Sequence, residues 1–167
     1  AAEAFGLAYG RRVRGAGFMK NLMTQRLCSS CFAGLNTAKK ILAGKEIEDE
    51  TGEEEDQDVR YSETEKEALE ALIDALESMK DEDPKLRAVK HYLIEEGWIQ
   101  HGCIIFSQYY DTAAWVAEKL AEVFPEELIG LYAGAGKSAL FRGSQDRNDA
   151  EREVLKSLVE EEKIKVM

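Results

Sequence analysis

Three short apolar runs alternate with amphipathic helical patterns in the last third of the chain. The runs cover residues 103–106, 128–132 and 164–167, and each is too short to form a helix. Short apolar runs separated by helices of about 10–15 residues are typical of buried strands joined by right-handed crossovers. The pattern therefore predicts an α/β fold on a parallel sheet, with polar side chains at the carboxyl ends of its strands.

The connections between these runs have recognisable features. Asp111 or Thr112 can cap a helix after the first run, and Pro125 is expected to end it. A Gly-rich loop and another helix are predicted between the second and third runs. In the helix predicted between the first and second runs, the apolar residues recur at helical spacing, at Trp115, Val116, Ala117, Leu120 and Phe124.

The first half of the chain is helical in pattern. One apolar stripe at spacings of three and four predicts a single long amphipathic helix over residues 18–42, with Gly44 as its stop. Further helices are predicted to begin at a capping box, Ser62 to Glu65, and at the Asp83-Pro84 step. We predict a basic amphipathic helical segment at 1–45, an acidic flexible loop at 46–61 and an α/β lobe at 62–167.

The net charge of −11 is unevenly distributed. Residues 1–45 carry eight bases and one acid, residues 46–83 carry eighteen acids and three bases, and residues 84–167 carry fourteen acids and eleven bases. The acidic excess belongs to the middle of the chain and does not exclude nucleic-acid binding elsewhere. Residues 46–58 hold nine acids without the alternating pattern of a calcium loop, so they predict a disordered loop.

The chain has three cysteines, and because this number is odd they do not indicate a framework of paired disulfides. Cys28 and Cys31 form a CxxC spacing, which suits half of a zinc site or a redox pair. No second CxxC exists, so we expect both cysteines to pack in a helical core. The sequence has neither a signal-peptide pattern at its start nor an apolar run long enough for a membrane span, which favours a cytoplasmic location.

A Gly-rich stretch, Ala133-Gly-Ala-Gly-Lys-Ser138, is similar to a phosphate-binding P-loop. Leu131 occupies the position where that motif requires its first glycine. Gly143 follows so closely that a long helix cannot begin at Lys137, as the motif needs. We therefore expect a flexible loop able to contact a phosphate backbone rather than a P-loop.

Residues 80–167 resemble the second RecA-like lobe of superfamily 2 helicases, in particular the Swi/Snf-type, RapA-like bacterial helicases and translocases. Residues 1–79 resemble, with less specificity, the helical insertion between the two lobes of that family. The resemblance is carried by the order of Asp83-Pro-Lys85, Trp98, Gly102-Cys-Ile-Ile-Phe-Ser-Gln-Tyr-Tyr-Asp-Thr-Ala114, Gly130-Leu-Tyr-Ala-Gly134 and the stretch from Arg147 to Val166.

The resemblance implies a three-layer RecA-like lobe, here truncated, of an ATP-dependent motor that grips the nucleic-acid backbone. ATP and Mg²⁺ are expected in the parent protein, together with the first RecA-like lobe, whose motifs this chain lacks. The segment alone is expected to bind neither cofactor and to be inactive as an ATPase. The nucleic-acid-binding residues that it implies are Ser107, Gln108, Tyr109 and Asp111, and more weakly Gly134, Lys137 and Ser138.

Other interpretations of these residues stay open. Gln108 and Asp111 are equally suited to capping the helix that follows them. The chain is also compatible with a small anion- or nucleotide-binding regulatory domain, or with a protein-interaction module whose docking helix is the 18–42 stripe. Because the sequence stops within a predicted strand, we expect a segment of a longer protein whose exposed edge at 164–167 can pair with a second copy. The expected nucleic-acid partner is DNA rather than RNA, and no membrane partner is expected.

Overall fold

A computed structural model describes residues 16–44, 61–79, 82–134, 136–144 and 146–167. The chain forms two compact units, Ala1–Asp83 and Pro84–Met167. This division lies further along the chain than the predicted boundary at 61/62. Residues 1–15 of the predicted basic segment at 1–45, and nearly all of the predicted acidic loop at 46–61, lie outside the described residues.

The described helices of the first unit are α1 (Ala16–Ser29), α2 (Cys31–Leu42) and α3 (Glu63–Met79). The single long helix expected over 18–42 is wrong, because the chain breaks at Ser30. Ser30 has extended backbone angles, φ −160° and ψ 157°, and its hydroxyl accepts a hydrogen bond from the Ala33 N–H at 3.0 Å. Asp83 accepts a second bond, from the Cys31 N–H at 2.8 Å. Two N–H groups of the first turn of α2 are therefore satisfied at the break.

Helix α3 belongs to the first unit because its apolar stripe packs against α1 and α2. Its start is the predicted capping box: Ser62 Oγ accepts from the Glu65 N–H at 3.3 Å, and the Glu65 carboxylate accepts from the Ser62 N–H at 2.6 Å. This packing is the physical reason that the unit extends past residue 61. The buried core consists of Met23, Leu35, Ala38, Ile41, Leu69, Leu72 and Leu76.

The second unit contains α4 (Pro84–Ile94), a short 3₁₀ helix (Trp98–Gln100), α5 (Tyr110–Val123) and α6 (Arg152–Glu160). Its strands are β1 (Leu128–Leu131), β2 (Ala139–Arg142), β3 (Asp146–Asp149) and β4 (Ile164–Val166). In the described part of the chain they form one sheet with the order β3-β2-β1-β4. Among these four strands β1 and β4 pair in parallel, whereas β2 pairs antiparallel with both β1 and β3.

The unit is an α/β structure as expected, but its sheet is mixed rather than parallel. The difference comes from the hairpin of β2 and β3, which the sequence pattern did not predict. Gly143, at φ +61°, lies in its turn and adopts a backbone conformation that other residues rarely take. The sheet buries Ile129, Leu131, Ala139, Phe141 and Val166 against α4 and α5, which contribute Leu93, Ala117, Leu120 and Ala121.

Residues 103–106 were expected to form a strand buried on both faces, and this is wrong. The segment pairs in parallel with β4 through a single bridge, Cys103 to Val166, and hydrogen bonds join it to Lys165 and Met167. Its alternate side chains face solvent, since Ile104 is 56% exposed and Phe106 is 91% exposed. Strand β4 is therefore paired on both sides, and the edge expected at 164–167 lies instead at 103–106.

Within the described ranges, no helix combines the length and apolar character needed to cross a membrane.

Candidate functional site

The functional site that we consider lies at one edge of the sheet in the second unit. Residues 103–105, β4 and β1 run in the same direction, so their carboxyl ends meet at this edge. Helix α5 begins just after the first of these segments, and the loop 132–138 follows β1. In α/β sheets this is the edge at which ligands bind.

The loop after β1 is closed by the side chain of Ser138. The Ser138 hydroxyl accepts a hydrogen bond from the Ala133 N–H at 3.0 Å and donates one to the Ala133 carbonyl at 2.9 Å. Ser138 is 1% exposed, whereas Gly134, Gly136 and Lys137 are exposed. The hydroxyl that the sequence suggested for phosphate contact is therefore used inside the loop, and the exposed residues of the loop are presented to solvent.

Arg152, at the start of α6, is fixed against the same loop. Its Nε donates to the Ala133 carbonyl at 2.8 Å, and its guanidinium lies over the Tyr132 ring, 5.1 Å from the ring centroid. A Cβ atom at Gly134 would lie 3.3 Å from Arg152 Nη2, so glycine leaves room for this approach. Because Nε is bonded and the guanidinium lies over the ring, the directions of the remaining guanidinium N–H groups are restricted.

Tyr110, the first residue of α5, contacts two further cations. Arg147 Nη2 on β3 donates to the Tyr110 hydroxyl at 3.0 Å, and Lys137 Nζ lies 5.4 Å from the centroid of the Tyr110 ring. Arg147 also lies over Phe141, at 5.7 Å. The Gly-rich loop, the hairpin and the start of α5 are thereby joined through cation–aromatic contacts.

Acidic side chains moderate the charge of this edge. Residues 133–156 contain five bases and four acids, and Asp149 lies 3.6 Å from Arg147. An open cavity of about 320 Å³ beside the loop is lined by Gly136, Ser138, Asp149, Ala150, Glu151 and Arg152. Affinity for an anion at this edge must therefore come from directed contacts of the fixed cations rather than from a large positive field.

The residues predicted at 107–111 lie at the start of α5, where the Ser107 side chain bonds to the backbone two residues further on. Ser107 Oγ accepts from the Tyr109 N–H at 3.3 Å and donates to the Tyr109 carbonyl at 3.1 Å. Tyr109 is the N-cap and is 5% exposed, Gln108 is exposed, and Asp111 lies in the first turn. Helix α5 thus begins at Tyr110 with Tyr109 as its N-cap. Asp111, which the sequence suggested as a cap, lies inside the helix.

Sequence reasoning missed Tyr110, Tyr132, Arg147 and Arg152. Arg147 is placed by the β2–β3 hairpin, and Arg152 by a helix that starts just after it. The available signal was the turn sequence Arg142-Gly-Ser-Gln-Asp146 between two short polar-apolar stretches. The hairpin also settles the P-loop comparison, because residues 133–138 lead into strand β2 and not into a helix.

The structure offers no evident metal site in its described ranges: no three His, Cys, Asp or Glu residues are grouped suitably there. Cys28 is exposed, which contradicts its expected place in a core, and Cys31 is half-buried. The pKa of the Cys31 thiol is raised by burial first and then by the nearby Asp83 carboxylate.

Comparison of the chain with family models, with curated proteins and with solved structures finds no match.

Proposed function

We propose that the second unit is the nucleic-acid-gripping part of the second lobe of an ATP-driven helicase or translocase. The sequence resemblance suggests the motor. The observation that carries the proposal is a set of three cations: Lys137 and Arg152 at the carboxyl edge of the sheet, and Arg147 on the neighbouring strand β3. Cationic side chains held at such an edge suit contacts to phosphates that do not depend on base sequence.

The geometry of the arginines supports this proposal. An arginine whose guanidinium is stacked on an aromatic ring keeps its planar fork of donors ready for a phosphate. The Arg152 guanidinium lies over Tyr132 in this way, whereas Arg147 lies over Phe141 but already donates from Nη2 to the Tyr110 hydroxyl. Lys137 adds a point charge on the exposed loop after β1.

The RecA-like character of the lobe is part of the proposal. Residues 103–105, β4 and β1 would be the parallel core of the lobe, and the β2–β3 hairpin an addition at the other side of β1. ATP and Mg²⁺ would be bound by the parent protein between this lobe and the first. The part of this chain that grips nucleic acid would then respond to ATP through closure of the two lobes.

The proposal is tested by replacing Lys137 with alanine and measuring the salt dependence of oligonucleotide binding. Loss of one phosphate contact is expected to reduce the slope of log affinity against log salt by about 0.9 for duplex DNA, or about 0.7 for a single strand. Lys163→Ala is the matched control, because Lys163 precedes β4 at the opposite edge of the sheet. An unchanged slope in Lys137→Ala, or an equal change in both variants, would contradict the proposal.

The same samples address the alternative of a small anion- or nucleotide-binding domain. A domain of that kind would bind its ligand in the cavity beside Arg152. Asp149 and Glu151 also line this cavity and would repel a phosphate. A rise in melting temperature with ATP in the absence of nucleic acid would favour it. The third interpretation, a docking helix at 18–42, is opposed by the packing of Leu35, Ala38 and Ile41 inside the first unit.

A further inference from the structure

The arrangement of tyrosines at the sheet edge carries an inference about the kind of nucleic acid that is bound. Tyr132 is 42% exposed although it directly follows the central strand β1. Its ring bears the Arg152 guanidinium at 5.1 Å. A partly exposed aromatic ring with an arginine on it combines the two groups that contact a base and its adjacent phosphate in single-strand binding proteins.

The surroundings of Tyr132 leave it accessible from the loop. Gly134 has no side chain, and Gly136 and Lys137 of the same loop are exposed. Lys137 lies over the ring of Tyr110, and Arg147 donates to the hydroxyl of that second tyrosine.

An intact duplex does not present base faces to such a ring, because its bases are stacked on one another inside the helix and present only their edges in the grooves. A single strand exposes base faces that stack on aromatic side chains. We propose that this edge binds single-stranded nucleic acid, with Tyr132 as the stacking platform for one base and Arg152 on the neighbouring phosphate. The inference rests on the proposed function and adds the class of strand and the residue that recognises it.

Stacking on Tyr132 is tested with the full chain and three fluorescent ligands of equal length: a thymidine single strand, a fully abasic single strand and a duplex. The abasic strand keeps the phosphates and lacks the bases. Fluorescence anisotropy is expected to show the thymidine strand bound about five- to 150-fold more tightly than the abasic strand. Tyr132→Ala is expected to remove this preference, and also to weaken binding of the abasic strand to a smaller extent, because Arg152 loses the ring over which its guanidinium lies.

Two further variants at this position keep the test falsifiable. Tyr132→Phe retains the aromatic face and is expected to retain the preference, whereas Tyr132→Leu retains apolar bulk alone and is expected to lose it, even if the alanine variant does not fold. Tyr92→Ala is the control, since Tyr92 is similarly exposed, at 48%, on α4. It is expected to leave the preference unchanged.

The outcomes separate this inference from the proposed function. Equal binding of thymidine and abasic strands, or a preference that survives in Tyr132→Ala and Tyr132→Leu, would overturn the stacking role while salt-dependent binding of the abasic strand still supported the phosphate grip. A preference lost equally in Tyr92→Ala would also overturn it. Failure of all three ligands to bind would overturn the proposed function and the inference together.

Discussion

Replacing Ser138 with alanine removes the one hydroxyl that closes the loop after β1. In the structure that oxygen lies 3.0 Å from the Ala133 nitrogen and 2.9 Å from the Ala133 oxygen. The Ala133 carbonyl keeps a partner in the variant, because Arg152 Nε donates to it at 2.8 Å. The Ala133 N–H loses the hydroxyl that accepts its hydrogen bond, so the cost of the substitution falls mainly on that group.

The expected loss of unfolding free energy follows from that geometry. A lost hydrogen bond costs about 1 kcal/mol, and a donor left unsatisfied in a part-buried place raises the cost to about 1–3 kcal/mol. With a urea dependence of about 2 kcal/mol per M, a loss of about 2 kcal/mol lowers the unfolding midpoint by about 1 M. The change is isosteric apart from the oxygen, so little cavity cost is added.

Tryptophan fluorescence during urea unfolding is the suitable assay. Both tryptophans of the chain, Trp98 and Trp115, lie in the second unit, so the signal reports the unit that contains the loop. Ser144→Ala is the control, because Ser144 is an exposed residue of the hairpin turn and should leave the midpoint nearly unchanged. A midpoint for Ser138→Ala equal to that of the Ser144 variant would refute the account of the loop.

Two further predictions concern the first unit and the thiols. Ser62→Ala should destabilise α3 by about 1 kcal/mol through loss of its cap, measured by circular dichroism during urea unfolding; a variant as stable as the unchanged chain would contradict the capping box. At mildly alkaline pH, iodoacetamide should modify exposed Cys28 before Cys31 and Cys103. Burial raises the pKa of both latter thiols, which leaves them less thiolate at a given pH, so their labelling should need higher pH than an ordinary thiol; peptide mass spectrometry that found them labelled first would refute this.

The features that sequence alone predicted correctly are those set by neighbouring residues. The capping box at Ser62 depends on a side chain three positions away, and the end of α5 before Pro125 depends on the missing proline N–H. The two strands β1 and β4 were also recognisable from their short apolar runs. Each of these signals is local, so it can be detected without knowing the fold.

The features that failed depend on partners distant in sequence. The break at Ser30 interrupts a continuous apolar stripe, and the Asp83 carboxylate that supports it lies 52 residues away. The apolar run at 103–106 could not reveal that one of its faces is solvent-exposed. In sequence, Tyr110 and Tyr132 look like ordinary residues of a helix and of a strand end. Their role depends on Lys137 and Arg152, which lie over their rings in the fold.

Hydrogen exchange with and without a single-stranded oligonucleotide tests the central claim most directly. The account predicts slower exchange in peptides that contain Tyr132, Lys137 and Arg147, and unchanged exchange in α2 and α3. The basic start of the chain, residues 1–45, is the competing electrostatic site and is read in the same experiment. Protection confined to that segment, or absent from the edge formed by the loop and the hairpin, would contradict the account.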